Sequence, residues 1–232
     1  LQPSLASTKV PVASLAAPDD YTFWAPGVWG QVEERMLETL KPLGAHRPDP
    51  GLDQAAKATA QSDRLRRQLM PFANSGANNF GSPVPYPQDD SGFPRQLAGL
   101  AAMLAAKLPV RCVAITAPGE YDTHSDQPQA LADGLDVTSR SLLAFQRDLE
   151  ARGLANRVLT LVWTEFGRRG EENGSGTDHG AAGAAFLIGT RARGRMVGEF
   201  PGLANGLDRD GNLKPTSDFR GVYSSLLEQW LG

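Results

Sequence analysis

Arg157-Val-Leu-Thr-Leu-Val-Trp163, followed at once by Thr164-Glu165-Phe166-Gly167-Arg168-Arg169, is the stretch on which the fold turns. Its apolar, β-branched run predicts the clearest strand in the sequence, with Glu165 leaving its carboxyl end. Upstream, over residues 129–152, Leu131, Leu135, Leu142, Leu143, Phe145 and Leu149 recur at helical spacing, and Gly153 stops the helix. Before that helix, Val110-Arg-Cys-Val-Ala-Ile-Thr116 predicts another buried strand. Strand, helix, strand implies parallel pairing, because the connecting helix packs on a sheet face. Ala184-Ala-Phe-Leu-Ile188 predicts a third strand, reached through a Gly-rich loop over residues 167–180. The expected fold class is α/β, with a mostly parallel sheet.

Outward from this core the texture changes. Residues 1–92 are rich in Pro, Ala, Ser and Gly and break into short helical pieces, which predicts an irregular helical cap. A helix is expected over residues 29–40, with Val32, Met36, Leu37 and Leu40 on one side, and a more polar one over 52–70. Residues 74–92 read as a long irregular connection. Phe93 opens the second region, 93–232, with Pro94 in a first helical turn and Leu97, Leu100, Ala101, Leu104, Ala105 and Leu108 as an apolar face. Near the end, Leu207-Asp-Arg-Asp-Gly-Asn-Leu213 predicts a hairpin turn. Thr216 or Ser217 then caps a helix over 219–231 that buries Val222, Tyr223, Leu226, Leu227 and Trp230.

Composition limits the function. The chain has 232 residues, of which 41% are hydrophobic and 21% charged, the range of a globular protein. Lys and Arg number 23 against 26 Asp and Glu, a net charge of -3, so no basic field exists to hold phosphate backbones and nucleic acid is not an expected partner. Its single cysteine, Cys112, excludes an internal disulfide and a thiolate metal cluster. The longest apolar run, residues 97–106, is too short to span a membrane.

Ligands of α/β sheets bind beyond the carboxyl ends of the strands, which directs attention to the loops after Thr116, Trp163 and Ile188. The first holds Gly119-Glu-Tyr-Asp122-Thr-His124-Ser-Asp126-Gln127. In extended backbone, residues two apart point the same way, so Asp122 and His124 can grip one cation with an oxygen and an imidazole. A turn with a capping Asp and a solvated His accounts for the same letters. The second loop begins with Glu165, Arg168 and Arg169 and continues to Gly176-Thr177-Asp178-His179-Gly180. Glu165 is either a ligand or an ion-pair partner of the arginines. The glycines around Asp178 and His179 either bring backbone close to a ligand or permit a tight loop. Two of the three histidines, each near an Asp, share an expected sheet edge with Glu165 and two arginines. Such mixed N/O donors suit zinc, manganese or iron, and arginines beside a dication suit a tetrahedral oxyanion. Ser175, Asp178 and His179 lie too close in one loop to line up as a hydrolytic triad. Asp208-Arg-Asp210-Gly211 lacks the closing Glu of a calcium loop. His46, in a Pro-rich connection, is expected to be exposed and without a role.

These motifs, together with Glu172-Asn173 and Asp218-Phe-Arg220-Gly-Val-Tyr223, resemble the bacterial family known as domain of unknown function 1501. The resemblance covers roughly residues 93–232, with Gly119-Glu120-Tyr121 standing where the family usually has Gly-Gly-Phe. It implies a relationship to the alkaline phosphatase and sulfatase superfamily, and hence a three-layer α/β/α, mostly parallel sheet, incomplete at its amino-terminal side. It also implies export through a twin-arginine signal. On that pattern Asp122, His124 and His179 form one site for a divalent ion, zinc or manganese, with Asp178 as an additional ligand. Glu165 serves a second metal that Phe166, in place of a histidine, weakens or abolishes. Arg168 and Arg169 are the catalytic charges.

The expected activity is metal-dependent hydrolysis of small-molecule or polymer-borne phosphate or sulfate esters. The nucleophile would come from a strand preceding Leu1, so the chain reads as the carboxyl-terminal portion of a longer protein. The alternative is a non-catalytic exported binding or assembly protein that keeps the fold.

Overall fold

A computed structural model describes residues 12–21, 26–40, 42, 49–73 and 79–232. His46 and the start of the connection expected at 74–92 lie outside the described residues. The chain divides into two compact units, Leu1–Thr116 and Ala117–Gly232.

In the first unit, α1 (Gln31–Leu40) and α2 (Pro50–Leu69) form where the periodicity predicts. Asp49 starts α2, its side chain accepting hydrogen bonds from the amides of Gly51 and Leu52, so two otherwise orphaned donors are satisfied. Leu37 and Leu69 are fully buried. The buried carboxylate of Asp63 lies 3.2 Å from Arg66 and 3.1 Å from Arg67, which offsets the cost of taking its charge out of water. The third helix, α3 (Phe93–Ala105), buries Phe93, Leu97, Ala98, Leu100, Ala101 and Ala102. A side chain at Gly99 would fall 2.5 Å from Pro18, so that glycine sets how closely the 12–21 segment can lie on the helix.

The sequence expectation fails at the sheet. Val110–Thr116 forms no strand, and Val113 is 48% exposed. Among the described residues there are five α-helices and two separate two-stranded sheets, both antiparallel. This is not the mostly parallel three-layer α/β/α sheet of an alkaline-phosphatase-like fold. One sheet pairs β1 (Thr160–Val162) with β4 (Phe186–Ile188), Leu161 facing Leu187. The other pairs β2 (Gly167–Glu172) with β3 (Thr177–Gly180), Arg168 facing His179. The chemistry of the connection explains the outcome. Parallel neighbours need a crossover of a dozen or more residues, usually helical. Between Val162 and Phe186 the chain instead makes the β2–β3 hairpin and comes back, so β4 runs antiparallel to β1. The Gly-rich segment read as a loop is that hairpin.

The long helix of the second unit, α4 (Gln127–Ala151), forms as expected but turns a different face inward. Leu135 and Leu143 are half exposed, while Gly134, Thr138, Ser141, Ala144, Phe145, Asp148 and Leu149 are buried. Spacings of three and four make this one stripe, small and polar towards its amino end and apolar only around Phe145 and Leu149. Asp148, with no exposed side-chain surface, takes Arg152 as its partner at 2.6 Å. Leu207 and Leu213 form the bridge of the expected hairpin turn, with Asp208 accepting from the amides of Asp210 and Asn212.

The last helix, α5 (Phe219–Ser225), continues as a wider π-type turn over Leu226–Leu231. Its cap is Asp218, not Thr216 or Ser217, because the Asp218 carboxylate accepts from the Arg220 amide at 2.9 Å. The helix does not bury its apolar side: Phe219 is 69% and Leu227 60% exposed, with Tyr223 edge-on to Phe219. No described helix is long and apolar enough to cross a membrane.

Two measurements check this packing. Leu149→Ala, emptying a site with no exposure, is expected to cost about 2–5 kcal/mol in urea unfolding; a loss below about 1 kcal/mol contradicts the buried stripe. At Asp218, the hydrogen bonds and charge of Arg220 lower the pKa from 3.8 to about 2. A carboxylate depressed in the folded state stabilises it above its unfolded pKa and loses that effect as pH falls through the folded value. Helical circular dichroism of the wild type should therefore decline between about pH 4 and pH 2 by an increment that Asp218→Ala lacks.

Candidate metal centre

Three chain segments build the site, all within the second unit. The first is the loop carrying Asp122 and His124. Gly119 adopts φ +111, and a side chain there would fall 2.8 Å from the Cα of Gly134 on α4. The absence of a Cβ at both positions lets the loop lie on the helix, where the Tyr121 hydroxyl meets the Thr138 hydroxyl at 2.7 Å. Phenylalanine at 121 could not make that bond. Thr123 is buried while its neighbours Asp122 and His124, both at bends of the loop, are exposed.

The second and third segments are β2 and β3. Thr177 donates its amide to the Thr123 carbonyl at 3.2 Å. Where the hairpin turns, the Gln127 amide donates to the Ser175 carbonyl at 2.9 Å, and the Asp126 amide donates to the Ser175 hydroxyl. The hairpin is thereby docked on the Asp122 loop and the start of α4. Gly176 allows this approach, since a Cβ there would lie 2.3 Å from the carbonyl carbon of His124. The glycine serves the meeting of two backbones.

Docking brings together Asp122, His124 and His179, one donor atom from each, all within 4.8 Å of one another. His179 Nε2 donates to Asp122 Oδ1 at 2.8 Å, and His124 Nδ1 lies 3.2 Å from the same oxygen. The two imidazole centroids are 5.0 Å apart. Phe166 stacks on His179, 3.8 Å between centroids and 11° between planes, which fixes how the imidazole is turned. The hydrogen bond from His179 holds the Asp122 carboxyl below its usual pKa against the desolvation that raises it, with the Arg168 hydrogen bond and the charges of both histidines adding to the lowering. Asp122 is thus an anion ready to act as a ligand. Two imidazoles and one carboxylate are a donor set that fits a borderline divalent ion such as zinc or manganese.

Arg168 joins the site from below. Nη1 donates to Asp122 Oδ1 at 2.8 Å, Nε to the Thr177 hydroxyl at 3.0 Å, and Nη2 to the carbonyls of Thr123 and Thr177. Arg169, next along β2, faces the other side of the hairpin, half-buried, and its Nε has no hydrogen-bond partner among the described residues. Asp178 likewise faces away from its neighbour His179 and accepts from Asn173 Nδ2 at 2.7 Å. Glu165 sits exposed at the bend before β2, outside the three-donor cluster. Of the seven residues singled out from sequence, four meet here: Asp122, His124, His179 and Arg168.

Sequence reasoning missed Phe166, Thr177, Tyr121 and Thr138. Phe166 was legible only as a missing histidine, although an aromatic two residues before an arginine on a strand is well placed to stack on a facing ring. The roles of Thr177 and Thr138 depend on the hairpin docking and the inward face of α4, and nothing in local spacing announces either.

No curated protein and no solved structure matches the chain. A family model does match, over residues 32–215, which takes in α1 to β4 and every residue of the site. The chain therefore belongs to the family described as "Protein of unknown function (DUF1501)".

Proposed function

We propose that this protein is a metal-dependent hydrolase of phosphate or sulfate esters, with a single divalent ion, zinc or manganese, held by Asp122, His124 and His179. One observation carries the proposal: three donor atoms of the appropriate kinds, from two chain segments about 55 positions apart, lie within 4.8 Å of one another. A divalent ion at such a site supplies Lewis-acid polarisation of the ester oxygens. The residues supply the rest. Asp122, kept ionised by its neighbours, contributes the negative charge that retains a dication. Both histidines ligate as neutral imidazoles, so the Nε2 of His179 that faces Asp122 would ligate in the tautomer that carries its proton on Nδ1. All three ligands are solvent-exposed, which leaves room for a bulky or polymer-borne ester. Export by the twin-arginine route, which the resemblance implies, belongs to the same reading.

A second reading, a metal-carrying binding or assembly protein without catalysis, draws on a different observation. The guanidinium of Arg168 is committed to protein acceptors at all three nitrogens and does not present a free fork to an ester anion.

Elemental analysis and an ester panel separate the readings. The purified chain is expected to carry about one equivalent of transition metal, and His124→Ala with His179→Ala to lose it. Hydrolysis of aryl phosphates or sulfates, assayed on the full-length protein that supplies the nucleophile this reading requires, should vanish with the metal. Metal content unchanged by both alanines sinks the site, whereas metal bound with no ester cleaved favours the binding protein.

A further inference from the structure

Arg168 was expected to be a charge that meets the substrate, and its surroundings give it another task. Four of its five N–H groups are spent on the protein: one on Asp122 Oδ1, one on the Thr177 hydroxyl, and two on the carbonyls of Thr123 and Thr177. Its side chain is 19% exposed, while that of Asp122 is 53% exposed. The acceptors belong to both segments that make the site. Thr123 lies between the two ligands of the first loop, and Thr177 lies two residues before the ligand His179 on β3. On β2, Arg168 is also the register partner of His179, so the backbone that carries the guanidinium is paired to the backbone that carries the third ligand.

We propose that Arg168 is a positioning residue: its planar fork clamps the Asp122 loop to β3 and aims Asp122 Oδ1 towards the two imidazoles. The proposal rests on the metal reading of the site and assigns Arg168 no contact with substrate. A carboxylate this exposed has several rotamers available, and a hydrogen bond to one oxygen selects among them, the way outer partners orient metal ligands. Charge alone cannot do this. A lysine ammonium presents its donors from one point and cannot reach four acceptors spread over two segments in a plane. Gly180 belongs to the same device, because a side chain there would lie 2.6 Å from the Arg168 carbonyl and push the paired strands apart.

The test uses the full chain and two readouts: Co2+ titration followed by visible absorption, and amide hydrogen exchange of the metal-free protein. Arg168→Met is expected to weaken Co2+ binding about 10–100-fold and to give the ligand-field spectrum of Asp122→Asn. The double variant R168M/D122N should bind no more weakly than D122N alone, since Arg168 acts through Asp122. Arg168→Lys should not restore affinity. In the metal-free protein, R168M should remove protection of the Thr177 amide, which bonds across the two segments, and leave that of Leu149 in place. Undiminished Co2+ affinity, additive losses with D122N, or rescue by lysine overturns the proposal. If the wild-type chain takes up no Co2+, the metal reading fails by itself and amide exchange decides the clamp, retained Thr177 protection in R168M overturning it. Should R168M not fold, Thr177→Val, which removes the hydroxyl acceptor of Nε, must show the same losses in smaller degree, and wild-type behaviour of that variant overturns the clamp.

Discussion

The docking of the β2–β3 hairpin on the Asp122 loop is the constraint from which the site follows. Asp122 and His124 come from one segment and His179 from another, and neither segment holds three ligands alone. Two features let the backbones meet. Gly176 removes the side chain that would collide with His124, and Thr177 supplies the amide that bonds Thr123. Arg168 then fills the angle between them with donors. In water an exposed ion pair such as Arg168–Asp122 contributes little to stability. The bonds from Arg168 to the Thr123 and Thr177 carbonyls are the stronger part of the arrangement, since Thr123 is only 3% exposed and its carbonyl takes the guanidinium as a second donor beside the Thr177 amide.

That docking depends in turn on α4. Its amino-terminal half faces inward with Gly134, Thr138 and Ser141, where an ordinary amphipathic helix would place leucines. The small stripe is the seat of the Gly119–Tyr121 turn: Gly134 leaves space for the Tyr121 ring, and Thr138 meets its hydroxyl. Leu135 and Leu143, apolar positions at helical spacing in the sequence, lie half exposed beside that stripe. Local periodicity located the helix and misjudged its face, because hydrophobicity alone does not register a face selected for closeness of approach.

The sheet shows the same division between what is local and what is not. The strands at 160–162 and 186–188 were legible from β-branched and apolar composition. Their pairing was inferred from the preceding helix, on the rule that strand, helix, strand builds parallel neighbours. Here the helix stands between a segment that makes no ladder and β1, and the partner of β1 arrives through a hairpin. Gly167 to Gly180 contains enough glycine to pass for a loop, yet Gly167 and Gly180 are strand residues opposite each other, tolerated because each lies against backbone where no side chain fits. The nearness of Asp122, His124 and His179 has a more local origin. Asp122 and His124 lie two apart on one loop, exposed on either side of the buried Thr123. Asp178 and His179 are adjacent, so the alternation that turns His179 towards Asp122 must turn Asp178 away, a consequence available only once residues 177–180 are known to be a strand.

The exposure of the three donors bears on what the centre can do. A buried cluster of this composition would need tight ion pairing to offset the desolvation of its carboxylate, and its geometry would be costly to change. Here Asp122 and the two imidazoles are about half exposed, so water competes for each contact and solvation of the charged groups is largely kept. Preorganisation must then come from elements more sheltered from water than the donors themselves. Those are the ring of Phe166 against His179, the buried Thr123 beneath the ligand pair, and the guanidinium plane of Arg168. Each fixes one ligand from its hidden side and leaves its outer side free. On the proposed metal reading, an ion held this way would keep coordination positions open to solvent, which is the condition that separates a reactive or ligand-exchanging metal site from a structural one.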